Sequence, residues 1–162
     1  MDSTLQPLEI ALRLGAAVIV GVILGINRDL KHKPTGMRTL ALVCLGAALA
    51  TVATVYLTGI QRDANALSRV VQGVLQGVLT GIAFLGAGAI IRNEREGQVP
   101  GLTTAANVFV VAAIGIACGL GAWWAALLGA GFAFIVLVGL SPIEQLLERS
   151  AGKKKPDESS DA

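Results

Sequence analysis

The sequence is poor in charged residues. Only 15% of its 162 residues are Asp, Glu, Lys or Arg, against about 25% in a typical soluble domain, whereas 54% are hydrophobic. This composition excludes a disordered chain and a coiled coil, and it argues against a soluble enzyme. The 13 basic and 11 acidic residues leave a net charge of +2, which gives no reason to expect nucleic-acid binding.

Cysteine and histidine are scarce, and the motifs of common catalytic sites are missing. The two cysteines, Cys44 and Cys118, both fall in apolar stretches, which is typical of buried thiols and excludes a disulfide scaffold. The single histidine, His32, lies in a charged loop. The chain has no Walker-type loop, no zinc motif and no GxSxG. We therefore expect a protein that is not an enzyme and holds no cofactor or metal centre.

Long uncharged runs predict five membrane spans. No charge lies between Arg38 and Arg62 or between Arg69 and Arg92, and each run has the about 20 residues that a crossing helix needs. The third run, 97–143, is about twice as long as one crossing, so we divide it at a glycine-rich turn that precedes two tryptophans. The predicted spans are 8–26, 39–58, 70–91, 103–120 and 123–140.

The fold class is therefore an all-α membrane protein, a bundle of five transmembrane helices in a lipid bilayer. Ten of the 13 basic residues fall on one side of it, in the loops after spans 1 and 3 and beyond span 5. Basic loops stay in the cytoplasm, which predicts an outside N-terminus and a cytoplasmic C-terminus. We assign 1–149 to the transmembrane domain and 150–162 to a disordered charged tail.

Arg13 is the one charged residue expected within the hydrocarbon layer. A charge at that depth is a functional candidate by default. Glu9 precedes it by one helical turn on the same face, so an ion pair that reaches outward is the alternative. The sequence leaves both interpretations open.

Glycines recur at every fourth position in three spans. Small residues let helices approach closely in lipid, and the longest series makes span 3 the expected central helix or a contact between copies of the chain. Shorter series join Gly21 to Gly25 and Gly115 to Gly119. The candidate packing glycines of span 3 and its neighbourhood are Gly73, Gly77, Gly81, Gly86, Gly88 and Gly101.

A polar stripe runs along span 3 beside the glycines and consists of Gln72, Gln76 and Thr80. Polar side chains in hydrocarbon need partners. The stripe therefore predicts either hydrogen bonds between helices or a surface that faces a transported solute. Asn107 in span 4 has the same two interpretations.

Two similar segments, 36–41 and 101–106, open spans 2 and 4 and suggest two parallel repeats. Within them Thr39, Thr103 and Thr104 are placed to cap the two helices. Helix N-termini near arginines also suit an anion such as a phosphate or a lipid headgroup. Ordinary capping and positive-inside arginines explain the same residues, and both interpretations stay open.

Four motifs in order resemble the membrane domain of the MgtC/SapB family of bacterial inner-membrane proteins. They are LGINRD at 24–29, PTGMRTLALVCLGAAL at 34–49, GIAFLGAGAIIR at 81–92 and GLTTAANVFVVAAIGIACGLG at 101–121. The resemblance covers about residues 8–140. It implies a multi-pass inner-membrane protein linked to magnesium limitation, acid stress and survival in hosts. It further implies a regulator that binds other membrane proteins, the ATP synthase among them, rather than a magnesium transporter.

The chain departs from the family pattern at the end of span 1. The family has a Glu-Arg pair where this chain has Asn27 and Arg28, with Asp29 as a partial substitute. The soluble C-terminal domain of many members is not expected here. The candidate contacts to a partner or an anion are Arg13, Asn27, Arg28, Asp29, Arg38, Thr39 and Thr104. We expect a non-enzymatic regulator; the alternative is a small transporter or channel for Mg²⁺ or another ion, which would need to oligomerise.

Overall fold

The structure, a computed structural model, describes residues 7–30, 35–57, 64–91 and 101–139. These ranges form five α-helices: α1 (Pro7–Leu30), α2 (Met37–Leu57), α3 (Ala64–Ile91), α4 (Leu102–Leu120) and α5 (Trp123–Gly139). The all-α prediction is confirmed, and one helix lies at the position of each predicted span. The predicted tail at 150–162 and the end of the predicted domain lie outside the described residues.

Four of the helices are long and apolar enough to cross a membrane, namely α1, most of α2, most of α3, and α4. The fifth, α5, is apolar and has 17 described residues, about 26 Å of helix against a hydrocarbon layer of about 30 Å. Many large apolar side chains lie on the outside of the bundle. In a membrane protein this outer surface is the one that faces lipid.

The central helix of the bundle is α4. It contacts all four other helices, whereas α3 contacts α2 and α4 alone among the described elements. The membrane-spanning part of α4 is 56% buried and that of α3 only 6%. The prediction that span 3 is central is therefore wrong.

Glycines on α1 and α4 bring both helices against the backbone of α2. A Cβ added at Gly21 of α1 would lie 2.6 Å from the Cα of Ala41, and one at Gly115 of α4 would lie 2.3 Å from the carbonyl oxygen of Cys44. Ordinary contacts of a Cβ begin at 3.4 Å. The shorter glycine series, rather than the series of span 3, therefore build the bundle by close backbone approach.

The candidate packing glycines around α3 fall into two groups. A Cβ at Gly86 would lie 3.2 Å from the Cβ of Ala105, and one at Gly101 would lie 2.5 Å from the carbonyl oxygen of Ala89, so both glycines hold α3 against α4. Around the other four, an added Cβ meets nothing within 4 Å. These four do not pack the described bundle, and a role in contacts with another chain stays a prediction: Gly73, Gly77, Gly81 and Gly88.

Glycines, not threonines, start α2 and α4. The carbonyl oxygens of Gly36 and Gly101 accept the first helical hydrogen bonds, at 3.1 and 2.9 Å, which makes each glycine the N-cap residue. Thr39, Thr103 and Thr104 lie inside the first helical turn, so the prediction that they cap is wrong. The shared geometry shows that the two similar segments have the same local structure.

Candidate functional site

Three consecutive polar residues at the end of α1 connect it to three other helices. Asn27 contacts α5, Arg28 contacts α4, and Asp29 contacts the start of α2. Successive residues of an α-helix point about 100° apart, which is why three neighbours in sequence reach three different helices. We call these residues the 27–29 cluster. The sequence-based span ended before them, whereas α1 continues through them to Leu30.

Arg28 is buried inside the bundle, with only 2% of its surface exposed. Its Nη2 atom donates a hydrogen bond to the hydroxyl oxygen of Thr104 on α4. A buried charge is costly unless it is hydrogen-bonded, and a bond from a charged donor contributes about 1.5–3 kcal/mol. Arg28 and Thr104, both predicted as contacts to a partner or an anion, connect two helices within the protein.

Asp29 binds the first N–H group of α2. Its Oδ2 atom accepts a hydrogen bond of 2.9 Å from the backbone N–H of Met37. A carboxylate is favoured at this position because helix N-termini carry partial positive charge. Gly36 leaves room for this side chain, since an added Cβ would lie 1.7 Å from Oδ1 of Asp29 and the carboxylate would have to move. The N-terminus of α2, a predicted anion site, thus holds an anion from its own chain.

Asn27 joins α1 to α5. Its Nδ2 atom donates to the carbonyl oxygen of Leu137 at 3.3 Å. An ionised glutamate at this position would have no N–H to donate. The amide of Asn27 therefore makes a contact with α5 that a carboxylate cannot make.

Arg13 connects α1 to the C-terminal end of α4. Its Nη1 donates to the carbonyl oxygen of Gly119 at 2.8 Å, and its Nη2 forms the predicted ion pair with Glu9. The end of α4 is a tight turn in which Gly121 has a left-handed φ of 74°. A cation at a helix C-terminus complements the helix dipole. Sequence reasoning found the ion pair but missed the contact with α4.

Arg38 and Thr39 are exposed at the start of α2, next to the 27–29 cluster. Among the predicted contact residues, these two have side chains that point away from the bundle. Their role toward a partner or an anion stays a prediction.

The outer face of α3 exposes both of its stripes. Gln72 and Gln76 lie on the outside, and the hydroxyl of Thr80 donates to the carbonyl oxygen of Gln76 at 2.7 Å, within its own helix. A shallow groove of about 560 Å³ lies along these three side chains. The prediction that this stripe forms hydrogen bonds to other helices of the described bundle is therefore wrong.

Asn107 is the remaining polar candidate from the sequence, and it is buried in α4 with 5% of its surface exposed. Its Nδ2 atom has no hydrogen-bond partner in the described part of the chain. Its side chain forms part of the wall of a cleft of about 320 Å³ between α4 and α5.

The described residues bring together no group of three His, Cys, Asp or Glu that could hold a metal ion. Cys44 and Cys118 are buried free thiols, as the sequence predicts. Arg13 and the 27–29 cluster connect helices of the described bundle, and the fold is that of a helical membrane protein.

The family of the chain follows from comparison with known proteins. Residues 14–146 match the MgtC family, and the chain belongs to that family. The resemblance drawn from the four motifs is thereby confirmed. No solved structure matches the chain.

Three curated relatives bear names known in this family. The protein is 40% identical to SrpB of Synechococcus elongatus over 147 residues, which cover 86% of this chain and 79% of SrpB. It is 34% identical to MgtC of Brucella abortus over 87% of this chain and 55% of MgtC. It is 29% identical to SapB of Bacillus subtilis over 70% of this chain and 48% of SapB. The chain thus spans about half the length of the last two.

Proposed function

We propose that this protein is a non-enzymatic regulator that binds other membrane proteins through the outer face of α3. We call this surface the α3 face. The observation that carries the proposal is that none of the described helices covers either stripe of α3. The face consists of Gln72, Gly73, Gln76, Gly77, Thr80 and Gly81.

Two physical arguments support a helix as the partner of the α3 face. Amide side chains exposed to hydrocarbon are unfavourable until they find hydrogen-bond partners. The neighbouring glycines, around which an added Cβ meets nothing within 4 Å, offer a backbone that a second helix can approach closely. Together they provide polar contacts and close packing on one surface.

The same proposal includes a topology. Five spans, with α5 as the fifth, place the N-terminus outside and the C-terminus in the cytoplasm, because this arrangement keeps ten of the 13 basic residues on the cytoplasmic side. The membrane is the bacterial inner membrane, and the 27–29 cluster lies at its cytoplasmic surface. The role is in magnesium limitation or acid stress, and the ATP synthase is a candidate partner by family resemblance.

The test uses growth of the bacterium in magnesium-limited and in acidified medium. We expect Gln76→Leu and Gly77→Leu to abolish the contribution of the protein to growth while it still inserts and keeps Cys44 and Cys118 protected from thiol reagents. The matched control is Gly131→Leu on α5, where an added Cβ also meets nothing within 4 Å. Full growth with both α3 variants, or equal loss with the control, contradicts the proposal.

A small transporter or channel is the second candidate, because the groove on α3 is lined by amides that could contact a hydrated ion in an oligomer. Mg²⁺ flux into liposomes, under an imposed pH gradient or membrane potential, separates the two functions. Flux above empty liposomes that disappears with Gln76→Leu contradicts the regulator. Absence of flux from protein whose thiols remain protected supports it.

A further inference from the structure

The cleft between α4 and α5 opens on the outer surface of the bundle. Thr103, Asn107 and Val110 line it from α4, and Gly129, Ala133 and Leu137 line it from α5. Small residues on α5 make room for the cleft. Its length, from Gly129 to Leu137, is about 12 Å at 1.5 Å per residue.

Asn107 supplies the one buried side-chain donor without a partner among the described residues that line this cleft. A buried amide N–H without an acceptor costs about 1–3 kcal/mol. The terminal torsion of asparagine is broad, so a small rotation directs the N–H into the cleft. The site therefore calls for a ligand that is apolar along its length and carries one acceptor.

The depth of Asn107 identifies the position of that acceptor. Asn107 lies about one helical turn from Thr104, the partner of the charged Arg28. The polar end of the bundle belongs at the membrane interface, and one turn below it the interface meets the hydrocarbon layer. The ester linkages of phospholipids lie at this boundary.

The cleft has about 320 Å³, too little to enclose a whole helix, which is at least about 10 Å wide with its side chains. A single hydrocarbon chain is much narrower than a helix and fits along the cleft.

We propose that the cleft between α4 and α5 is a lipid site that holds one acyl chain of a phospholipid. The ester carbonyl of that chain accepts a hydrogen bond from Nδ2 of Asn107, and the hydrocarbon lies along Val110, Gly129 and Ala133. The site is separate from the α3 face.

The test compares two phosphatidylcholines that carry a diazirine in the middle of a chain. One has ester-linked chains and the other has ether-linked chains of the same length, which lack the carbonyl. The full-length protein is reconstituted with each lipid and illuminated. Mass spectrometry then gives the ratio of adducts in the cleft to adducts on the outer side of α5, at Ile135 and Val138.

With the ester lipid we expect the cleft ratio of the wild-type protein to be about fivefold higher than with the ether lipid, the effect of about one hydrogen bond. Asn107→Leu abolishes the difference between the lipids. Gly129→Leu fills the cleft and lowers labelling with both lipids, whereas Gly131→Leu on the same helix leaves it unchanged. An added Cβ at Gly129 makes only an ordinary contact, 3.4 Å from Ile114.

Two results would overturn the proposal. One is equal labelling of the cleft and of the outer side of α5 in the wild-type protein, which means that no site exists. The other is an equal cleft ratio with ester and ether lipids, which means that Asn107 does not bind the carbonyl. Protected thiols at Cys44 and Cys118 establish for each variant that the bundle is intact.

Discussion

Gly21→Ala is the substitution for which the structure gives the clearest expected magnitude. The added Cβ would lie 2.6 Å from the Cα of Ala41 and 2.7 Å from the carbonyl oxygen of Leu40. Both are backbone atoms of α2, so no side chain can rotate away. To reach an ordinary contact of 3.4 Å, α1 and α2 must separate by about 0.8 Å.

Overpacking of this kind costs about 1–3 kcal/mol. That range corresponds to about a 5- to 150-fold larger population of opened protein. The control is Gly15→Ala, on the same helix, where an added Cβ meets nothing within 4 Å. Because alanine has the higher helix propensity, this control is neutral or stabilising.

The assay is the rate at which a thiol reagent labels Cys44 and Cys118. Both thiols are buried in the folded protein, so the reagent reaches them only when the bundle opens. Mass spectrometry follows each cysteine separately. Destabilisation of the bundle accelerates labelling of both thiols, whereas a purely local change accelerates that of Cys44 alone. Equal rates for Gly21→Ala and Gly15→Ala would refute the packing argument.

Three further substitutions test the polar contacts, two of them by the same thiol labelling and the third by amide hydrogen exchange. Thr104→Val removes the hydroxyl that binds a buried guanidinium and should cost about 1.5–3 kcal/mol, whereas the exposed neighbour Thr103→Val should cost little; equal effects contradict the buried contact. Arg13→Met leaves the end of α4 without its cation and should destabilise the protein by about 1–3 kcal/mol. Glu9→Gln, at the exposed end of the ion pair, should destabilise it less. A larger effect of Glu9→Gln would contradict the contact between Arg13 and the end of α4. Asn27→Asp removes the N–H that donates to the carbonyl oxygen of Leu137, so we expect faster amide hydrogen exchange near the end of α5. Unchanged exchange would contradict the hydrogen bond between Asn27 and Leu137.

The sequence allowed the helices to be predicted but not their arrangement. Charge-free runs place α1 to α5 because a membrane crossing fixes the length of an apolar segment. Burial could not be predicted in the same way. In lipid the outer surface is as apolar as the interior, so hydropathy does not tell the inner face of α4 from the outer face of α3.

The glycine series illustrate the same limit. Glycines at every fourth position predict a helix face that another helix can approach closely. The spacing does not tell whether another helix of the same chain covers that face. The series at Gly21 and Gly115 are covered by α2, and the longer series at Gly77 is not. Only the three-dimensional arrangement distinguishes them.

The 27–29 cluster was identified in sequence through its motif, whereas its geometry was not. Bonds from Arg28 to Thr104 and from Asn27 to Leu137 join residues far apart in the chain. The bond from the Met37 N–H to Asp29 could not be predicted either, because Asp29 lies eight residues before Met37, inside α1. The sequence pattern starts the helix at residue 39 and so makes Thr39 the expected cap, whereas α2 begins at Met37.

The most direct test of the central claim is crosslinking from α3 in living cells. A photoreactive residue is placed at Gln76 and Gly77 on the α3 face, at Val78 and Ile82 on the side that packs against the bundle, and at exposed Gly131 on α5. We predict adducts with another membrane protein from the first two positions and not from the other three. Adducts shared equally by Gly77 and Gly131, or adducts with a second copy of this chain alone, would contradict a regulator that acts through this face.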